Sequence, residues 1–272
     1  MSGALLLLLH SLRRARTLVL AMGALLGAFQ VVLILVARSI QRTGGFEQLV
    51  NLLPTFAREM MGPSLASFMS FAGIVCLGYF HLSVIGSLLA LSIALATVPT
   101  SEIETGFIDL ILSRPLARHW IVMRTIVATL LCLAAVLCLM MTGTLAGLYG
   151  LARTNAVWPS ARLIGSLALN LGLLMLCWAG IAAAIGSASR RRSVAGAFAG
   201  LLALAAFLLD YVGRLWQTAE KAAWLSPFRY YNPMDLVMGK PLPGKNLAIL
   251  GGIAVVGFAM AYVLFAKRDI SR

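Results

Sequence analysis

Long apolar runs alternate along the chain with short polar segments that are mostly basic. A membrane core about 30 Å thick is crossed by about 20 apolar residues in an α-helix. Runs of this length predict transmembrane helices at about 18–37, 80–98, 123–150, 163–187, 193–211 and 246–266. The pattern therefore predicts an all-α integral membrane protein, with six transmembrane helices in a single domain over residues 1–272.

Residues 64–101 carry no charged side chain and are longer than one span but short for two. Because Gly78-Tyr79-Phe80-His81 interrupts this stretch, we place the span at 80–98 and an interfacial or re-entrant helix at about Leu65–Leu77. Together with an amphipathic stretch that begins at Phe46, this helix forms a predicted outer interfacial segment, residues 46–77.

Residues 214–245 form the second predicted outer interfacial segment. The segment is rich in aromatic side chains, which commonly anchor a protein at the membrane surface. Together with Trp158 from the preceding outer loop, these residues form a predicted outer aromatic belt, and lining a substrate exit is the alternative interpretation: Trp158, Trp216, Trp224, Phe228, Tyr230 and Tyr231.

Composition excludes a soluble protein, because 61% of the residues are hydrophobic and only 11% are charged. The formal net charge is +13, and the basic residues gather at the ends of apolar runs. This distribution is typical of anchors that face anionic lipid headgroups, so we expect membrane lipids and no nucleic acid as partners. Arginines that flank the spans favour a topology with both termini and residues 101–118 in the cytoplasm.

No pattern of a catalytic or metal site is found in the chain, and we predict neither. The three histidines are far apart, and the four cysteines lie in apolar runs without Cys-x-x-Cys spacing, which indicates buried thiols. Residues 239–246 nearly match a phosphate-binding loop, but Asn246 replaces the hydroxyl that would bind magnesium and two prolines remove amide donors. We therefore expect no cofactor on this chain and no ATP hydrolysis by it.

Two features inside the spans have structural interpretations. Asp210 lies one helical turn before Arg214, so an ion pair is the simpler account, and a functional carboxylate in a polar cavity is the alternative. Gly143-x-x-x-Gly147 and Gly196-x-x-x-Gly200 have the spacing of close helix packing, which we expect within one subunit more than in a dimer seam.

The segment 101–118 is a charge-bearing connection between two apolar runs. Its acidic residues Glu102 and Glu104 follow the second span, at the start of a short helix whose positive end favours carboxylates. An apolar face follows, and Pro115 then predicts a bend before the third span. A surface helix that merely connects two spans is the alternative interpretation.

The same segment resembles the cytoplasmic loop of the permease subunits of type 2 ABC exporters. In that family, an acid is followed by a glycine, a second acid, an aliphatic triplet and a Ser-x-Pro-x-x-Arg ending. The matching residues here are Glu102, Gly106, Asp109, Leu110, Ile111, Leu112, Ser113, Pro115 and Arg118. Phe107 and Ala117 depart from the family pattern, where threonine and serine are usual.

The resemblance implies the type 2 ABC exporter transmembrane fold and a half-transporter, most simply a homodimer, in a bacterial plasma membrane. It also implies two copies of a separate P-loop ATPase subunit, which would use ATP and Mg²⁺ and dock on the loop. The residues expected to couple the chain to that subunit are Glu102, Glu104, Gly106, Asp109, Leu110, Ser113, Pro115 and Arg118. An intramembrane enzyme and a scaffold subunit without transport are the alternatives, and no substrate-binding residue is assigned.

Overall fold

Long apolar helices make up most of the structure, a computed structural model that describes residues 3–42, 69–107, 119–152 and 157–267. No β-strand occurs among these residues. The helices are α1 (Gly3–Arg42), α2 (Phe71–Phe80), α3 (Leu82–Ala96), α4 (Val98–Glu104), α5 (His119–Leu151), α6 (Ala161–Ala188), α7 (Arg192–Gly213), α8 (Gln217–Ala223), a 3₁₀ turn (Pro227–Tyr230), α9 (Pro233–Val237) and α10 (Gly244–Lys267).

In the described part of the chain, six helical segments are long and apolar enough to cross a membrane. They are α1, the pair α2 and α3, α5, α6, α7 and α10. The prediction of an all-α membrane protein with six spans is therefore confirmed.

The second span begins earlier than expected. Residues 71–77, which the sequence pattern assigns to an interfacial helix over 65–77, belong to α2, and the span runs from Phe71 to Ala96. The interruption that suggested two separate elements is a one-residue break at His81, which has extended backbone angles and whose Nδ1 accepts a hydrogen bond from the Ser83 amide at 3.3 Å. Because His81 caps α3, the chain crosses the break without leaving the bundle. The earlier part of the predicted segment, residues 46–68, lies outside the described residues.

Close backbone approach holds the bundle together at two helix pairs. α1 packs against α5, where a Cβ placed on Gly143 would lie 2.7 Å from the Gly27 carbonyl oxygen. α6, the most enclosed span, packs against α10, and Gly180 and Gly257 meet there. Gly143 packs within one subunit, as expected, because its neighbour belongs to the same chain. The same expectation is wrong for Gly196 and Gly200, where an added Cβ would meet nothing within 4 Å in the described part of the chain.

The bundle has two ends, which we name after a carboxylate at each. The Glu102 end contains α4, the last turn of α6 and the first turns of α5 and α7. The Asp210 end contains the last turns of α7 and the segment from α8 to α9. α7 joins the two ends, because it begins at Arg192 and carries Asp210 in its last turn.

Aromatic residues of the predicted outer segment 214–245 divide into two groups. Trp216 and Trp224 are exposed, as membrane-surface anchors require. Phe228 and Tyr231 are instead buried against the bundle, which corrects their assignment to the belt. The Tyr231 hydroxyl donates to the Tyr79 carbonyl at 2.8 Å, and burial raises the pKa of Tyr231, so the phenol remains a donor.

Candidate coupling site

The short helix α4 begins directly after the second span, with only Thr97 between α3 and α4. Pro99 lies in its first turn, where a missing amide hydrogen is tolerated. The helix ends at Glu104, and Gly106 follows its C-cap Thr105 with a φ of 71°, which is favourable for glycine; the Gly106 amide donates to the Ile103 carbonyl at 3.1 Å. Glycine at this position therefore fixes the direction in which the chain leaves α4.

An ion pair between Glu102 and Arg124 connects α4 to the start of α5. Both side chains are almost completely buried, with 4% of the Glu102 side chain and 2% of the Arg124 side chain exposed. Removing two charges from water is unfavourable unless they compensate each other at hydrogen-bonding distance, as these groups do. The pair therefore holds α4 against the third span, and we call a polar contact of this kind between α4 and a span a joint.

A second joint connects α4 to the end of α6. The Thr100 hydroxyl donates to the Gly186 carbonyl at 2.9 Å, and this contact is buried. A Cβ placed on Gly186 would lie 2.8 Å from the Thr100 oxygen, which is too close for an undisturbed contact. Glycine in the last turn of α6 thus allows α4 to dock against the fourth span.

The third joint connects α4 to the start of α7. The Glu104 carboxylate accepts a hydrogen bond from the Arg192 backbone amide at 2.9 Å. This amide is one of the unpaired N–H groups at a helix start, where a negative charge is also favoured by the helix dipole. The Arg192 guanidinium reaches back to the Ala94 carbonyl of α3 at 3.0 Å. Glu104 and Arg192 therefore join α3, α4 and α7.

Through these contacts, α4 is linked to four of the six spans. It continues from the second span and is joined to the third, fourth and fifth spans through Glu102, Thr100 and Glu104. A displacement of α4 would therefore act on four spans at once. Glu104, Thr105 and Phe107 remain exposed at the same end, and 37% of Phe107 is accessible.

The structure describes only part of the predicted coupling segment 101–118, residues 101–107. Glu102 and Glu104 lie in the last turn of α4 and not in its first, which corrects the expectation that they begin a short helix. Glu102 faces into the bundle, whereas Glu104 lies at the surface. Gly106 follows the C-cap of α4. The other predicted coupling residues lie outside the described residues and stay predictions: Asp109, Leu110, Ser113, Pro115 and Arg118.

Sequence reasoning missed the partners of the acidic residues. Arg124 falls inside the predicted span 123–150, and an ionisable residue in a span calls for a charged or polar partner, so this signal was present. Arg192 could not be assigned in the same way because its contact with Glu104 uses a backbone amide, which has no sequence signature.

Asp210 forms the ion pair that the sequence indicated. The Arg214 Nε donates to Asp210 Oδ2 at 3.0 Å, and Asp210 is 6% exposed. The other carboxylate oxygen, Oδ1, has no hydrogen-bond partner among the described residues. Asp210 lies in the wall of a cavity shared with Phe80, Phe207 and Phe228.

Three of the four cysteines are buried, as expected: Cys76, Cys132 and Cys177. Cys138 differs, because its position on α5 leaves it exposed on the surface of the bundle. In the described ranges, no group of His, Cys, Asp and Glu residues has a geometry that could hold a metal ion.

Comparison with known proteins agrees with the family resemblance and with the six spans. The family described as "ABC-2 family transporter protein" matches residues 5–270. No match to the chain was found among curated proteins. The chain therefore belongs to the ABC-2 transporter family, as the resemblance implied, and it is the permease component of an ABC transporter rather than itself an enzyme.

Proposed function

We propose that the chain is the membrane permease of an ATP-driven exporter and that a separate nucleotide-binding subunit docks on residues 101–118. The observation that carries this proposal is the position of α4, which is joined to four spans yet exposes Glu104, Thr105 and Phe107. Family membership supports the ATP-binding partner, because an ABC permease works with such a subunit.

The proposed mechanism is mechanical. ATP and Mg²⁺ bind to the partner subunit, whose closure moves the docked segment. The joints at Glu102, Thr100 and Glu104 pass that movement to the third, fourth and fifth spans, and α4 is continuous with the second. A coordinated shift of these spans would open a central path alternately to the two sides of the membrane.

The arrangement that fits the family is a homodimer in a bacterial plasma membrane, with two copies of the ATPase and both termini in the cytoplasm. In this topology the Glu102 end faces the cytoplasm, where ATP is available. The arginines at this end support the orientation, since basic residues in short loops near span ends favour the cytoplasmic side.

Purification of the tagged chain from its native membrane tests the partnership. We expect a P-loop ATPase in equal amounts, and we expect Glu104→Lys and Arg118→Glu to reduce its recovery while membrane insertion stays normal. Asp235→Lys at the Asp210 end is the matched control and should leave recovery unchanged. Recovery of a different soluble protein would favour a scaffold, and activity of the chain alone would favour an enzyme, so either result would overturn the proposal.

A further inference from the structure

A cavity of about 160 Å³ lies at the Glu102 end, between the first half of α1, the end of α3, α4 and α5. Most of its lining surface is apolar, with contributions from Ala15, Leu95 and Ala128, and hydroxyl groups of serine and threonine side chains interrupt that surface. Leu18 also lines the cavity and is 48% exposed, so the cavity reaches the outer surface of the bundle, where lipid lies around a spanning helix.

Basic side chains from two distant parts of the chain line the same cavity. Arg14 comes from α1 and Arg192 from α7, with His10 beside Arg14. Glu102 also lines the cavity, but its carboxylate is already compensated by Arg124. The lining therefore holds two guanidinium groups and one carboxylate, which is paired elsewhere, while the nearby Glu104 carboxylate contacts Arg192 through the backbone amide and not through the guanidinium.

The arginines keep donors available for a ligand. Arg192 uses Nη2 for the Ala94 carbonyl, which orients the guanidinium and leaves its remaining N–H groups without an acceptor in the described part of the chain. No described residue accepts a hydrogen bond from Arg14. The wall also contains the Thr129 hydroxyl, which is 1% exposed and has no partner among the described residues.

A mostly apolar wall next to two arginines matches an amphiphile with an anionic headgroup. Guanidinium groups bind phosphate oxygens through paired, charge-assisted hydrogen bonds. The cavity volume suits a headgroup rather than a whole lipid, so the acyl chains would leave past Leu18 along the surface of the bundle.

We propose that this cavity is a binding site for the phosphate headgroup of an anionic membrane phospholipid, held by Arg14 and Arg192. The site differs from the general attraction of basic flanks to anionic membranes, which would act equally on every arginine near the surface. It also does not depend on transport or on an ATPase partner, so the two proposals stand or fall separately.

The chain supplies matched controls for the test. Arg16 and Arg191 are exposed arginines near Arg14 and Arg192 in sequence, yet neither lines the cavity. The experiment is native mass spectrometry of the purified full chain in detergent, titrated with dioctanoyl phosphatidylglycerol, dioctanoylglycerol or inorganic phosphate. Thermal unfolding of each variant checks that the fold is retained.

We expect phosphatidylglycerol to bind about tenfold more tightly than dioctanoylglycerol, because only the former can pair with guanidinium groups. Arg14→Gln and Arg192→Gln should each weaken phosphatidylglycerol binding about fivefold or more, a loss of the size expected for one charge-assisted contact. Arg16→Gln and Arg191→Gln should change it less than about twofold, as expected for screened surface charges.

Three results would overturn the proposal. Equal weakening by all four arginine variants would show general electrostatic attraction, and equal binding of dioctanoylglycerol would show that the headgroup is not recognised. Displacement of phosphatidylglycerol by inorganic phosphate at matching concentrations would identify a site for a free anion instead of a lipid. Should Arg192→Gln unfold the protein, Arg14→Gln alone decides the outcome, because Arg14 is exposed and donates to no described residue.

Discussion

The ion pair between Glu102 and Arg124 fixes the position of α4 against the third span. Each charge alone would be strongly unfavourable at its nearly inaccessible position, whereas the two together compensate each other. Two further nitrogens of Arg124, Nε and Nη1, have no hydrogen-bond partner among the described residues, so the guanidinium depends on Glu102. The position of α4 therefore depends on both members of the pair.

Glu102→Gln should lower the free energy of unfolding by about 3 kcal/mol, because it leaves the Arg124 charge buried and uncompensated. The double variant Glu102→Gln with Arg124→Met should recover part of that loss. Thermal unfolding of the purified protein in detergent measures both effects.

The matched control is Asp235→Asn, which breaks the exposed ion pair with Lys240 at the other end of the bundle. This change should cost less than about 1 kcal/mol, as exposed pairs generally do. Similar losses for Glu102→Gln and Asp235→Asn would contradict a special role for burial at the Glu102 joint.

Thr100→Val removes a hydroxyl donor while keeping the shape of the side chain. We expect a loss of about 1–3 kcal/mol, because the Gly186 carbonyl loses its buried partner. Thr142→Val is the control, since the Thr142 hydroxyl bonds only within its own helix at an exposed position. The comparison can be made by urea unfolding in mixed micelles, and equal midpoints for the two variants would argue against the α4–α6 joint.

At the scale of elements, the helices pack closely where glycine replaces a side chain. Gly143 of α5 meets the backbone of α1, whereas a Cβ placed on Gly196 of α7 would meet no other helix of the described chain within 4 Å. Within one copy of the chain, close packing therefore requires glycine at position 143 but not at position 196.

Gly143→Ala should destabilise the protein by about 1–3 kcal/mol, because the added methyl group forces α1 and α5 apart. Gly196→Ala should be neutral or stabilise the isolated chain by about 0.5–1 kcal/mol, because alanine loses less backbone entropy in a helix. If both variants shifted the unfolding temperature in the same direction, that result would contradict this account of the packing.

Much of the fold at this scale could be predicted from sequence because each span must supply its own apolar run. The start of the second span could not be predicted, because His81 caps α3 locally and lets one span continue across the break, and hydropathy does not reveal such a cap. At the candidate site, the sequence singled out Glu102, Glu104 and Gly106, whose coupling role stays a prediction, but the partners Arg124 and Arg192 are brought close only by the packing of separate spans. Pairings between helices have no local sequence pattern.

For the whole molecule, the two ends of the bundle have different organisation. At the Glu102 end, α4 makes buried polar contacts with the third and fourth spans, next to the cavity that Arg14 and Arg192 line. At the Asp210 end, Tyr231 and Ser226 hold the connecting segment against the spans through hydrogen bonds to Tyr79 and Ala206. This asymmetry fits the proposed docking of a partner subunit at the Glu102 end.

Site-specific photo-crosslinking tests the central claim most directly. A photoreactive phenylalanine analogue at position 107 lies on the exposed surface after α4, and the same analogue at position 216 lies at the Asp210 end. The account predicts that position 107 crosslinks to a P-loop ATPase subunit in native membranes and that position 216 does not. Equal crosslinking from both positions, or crosslinking from position 216 alone, would contradict docking on the 101–118 segment.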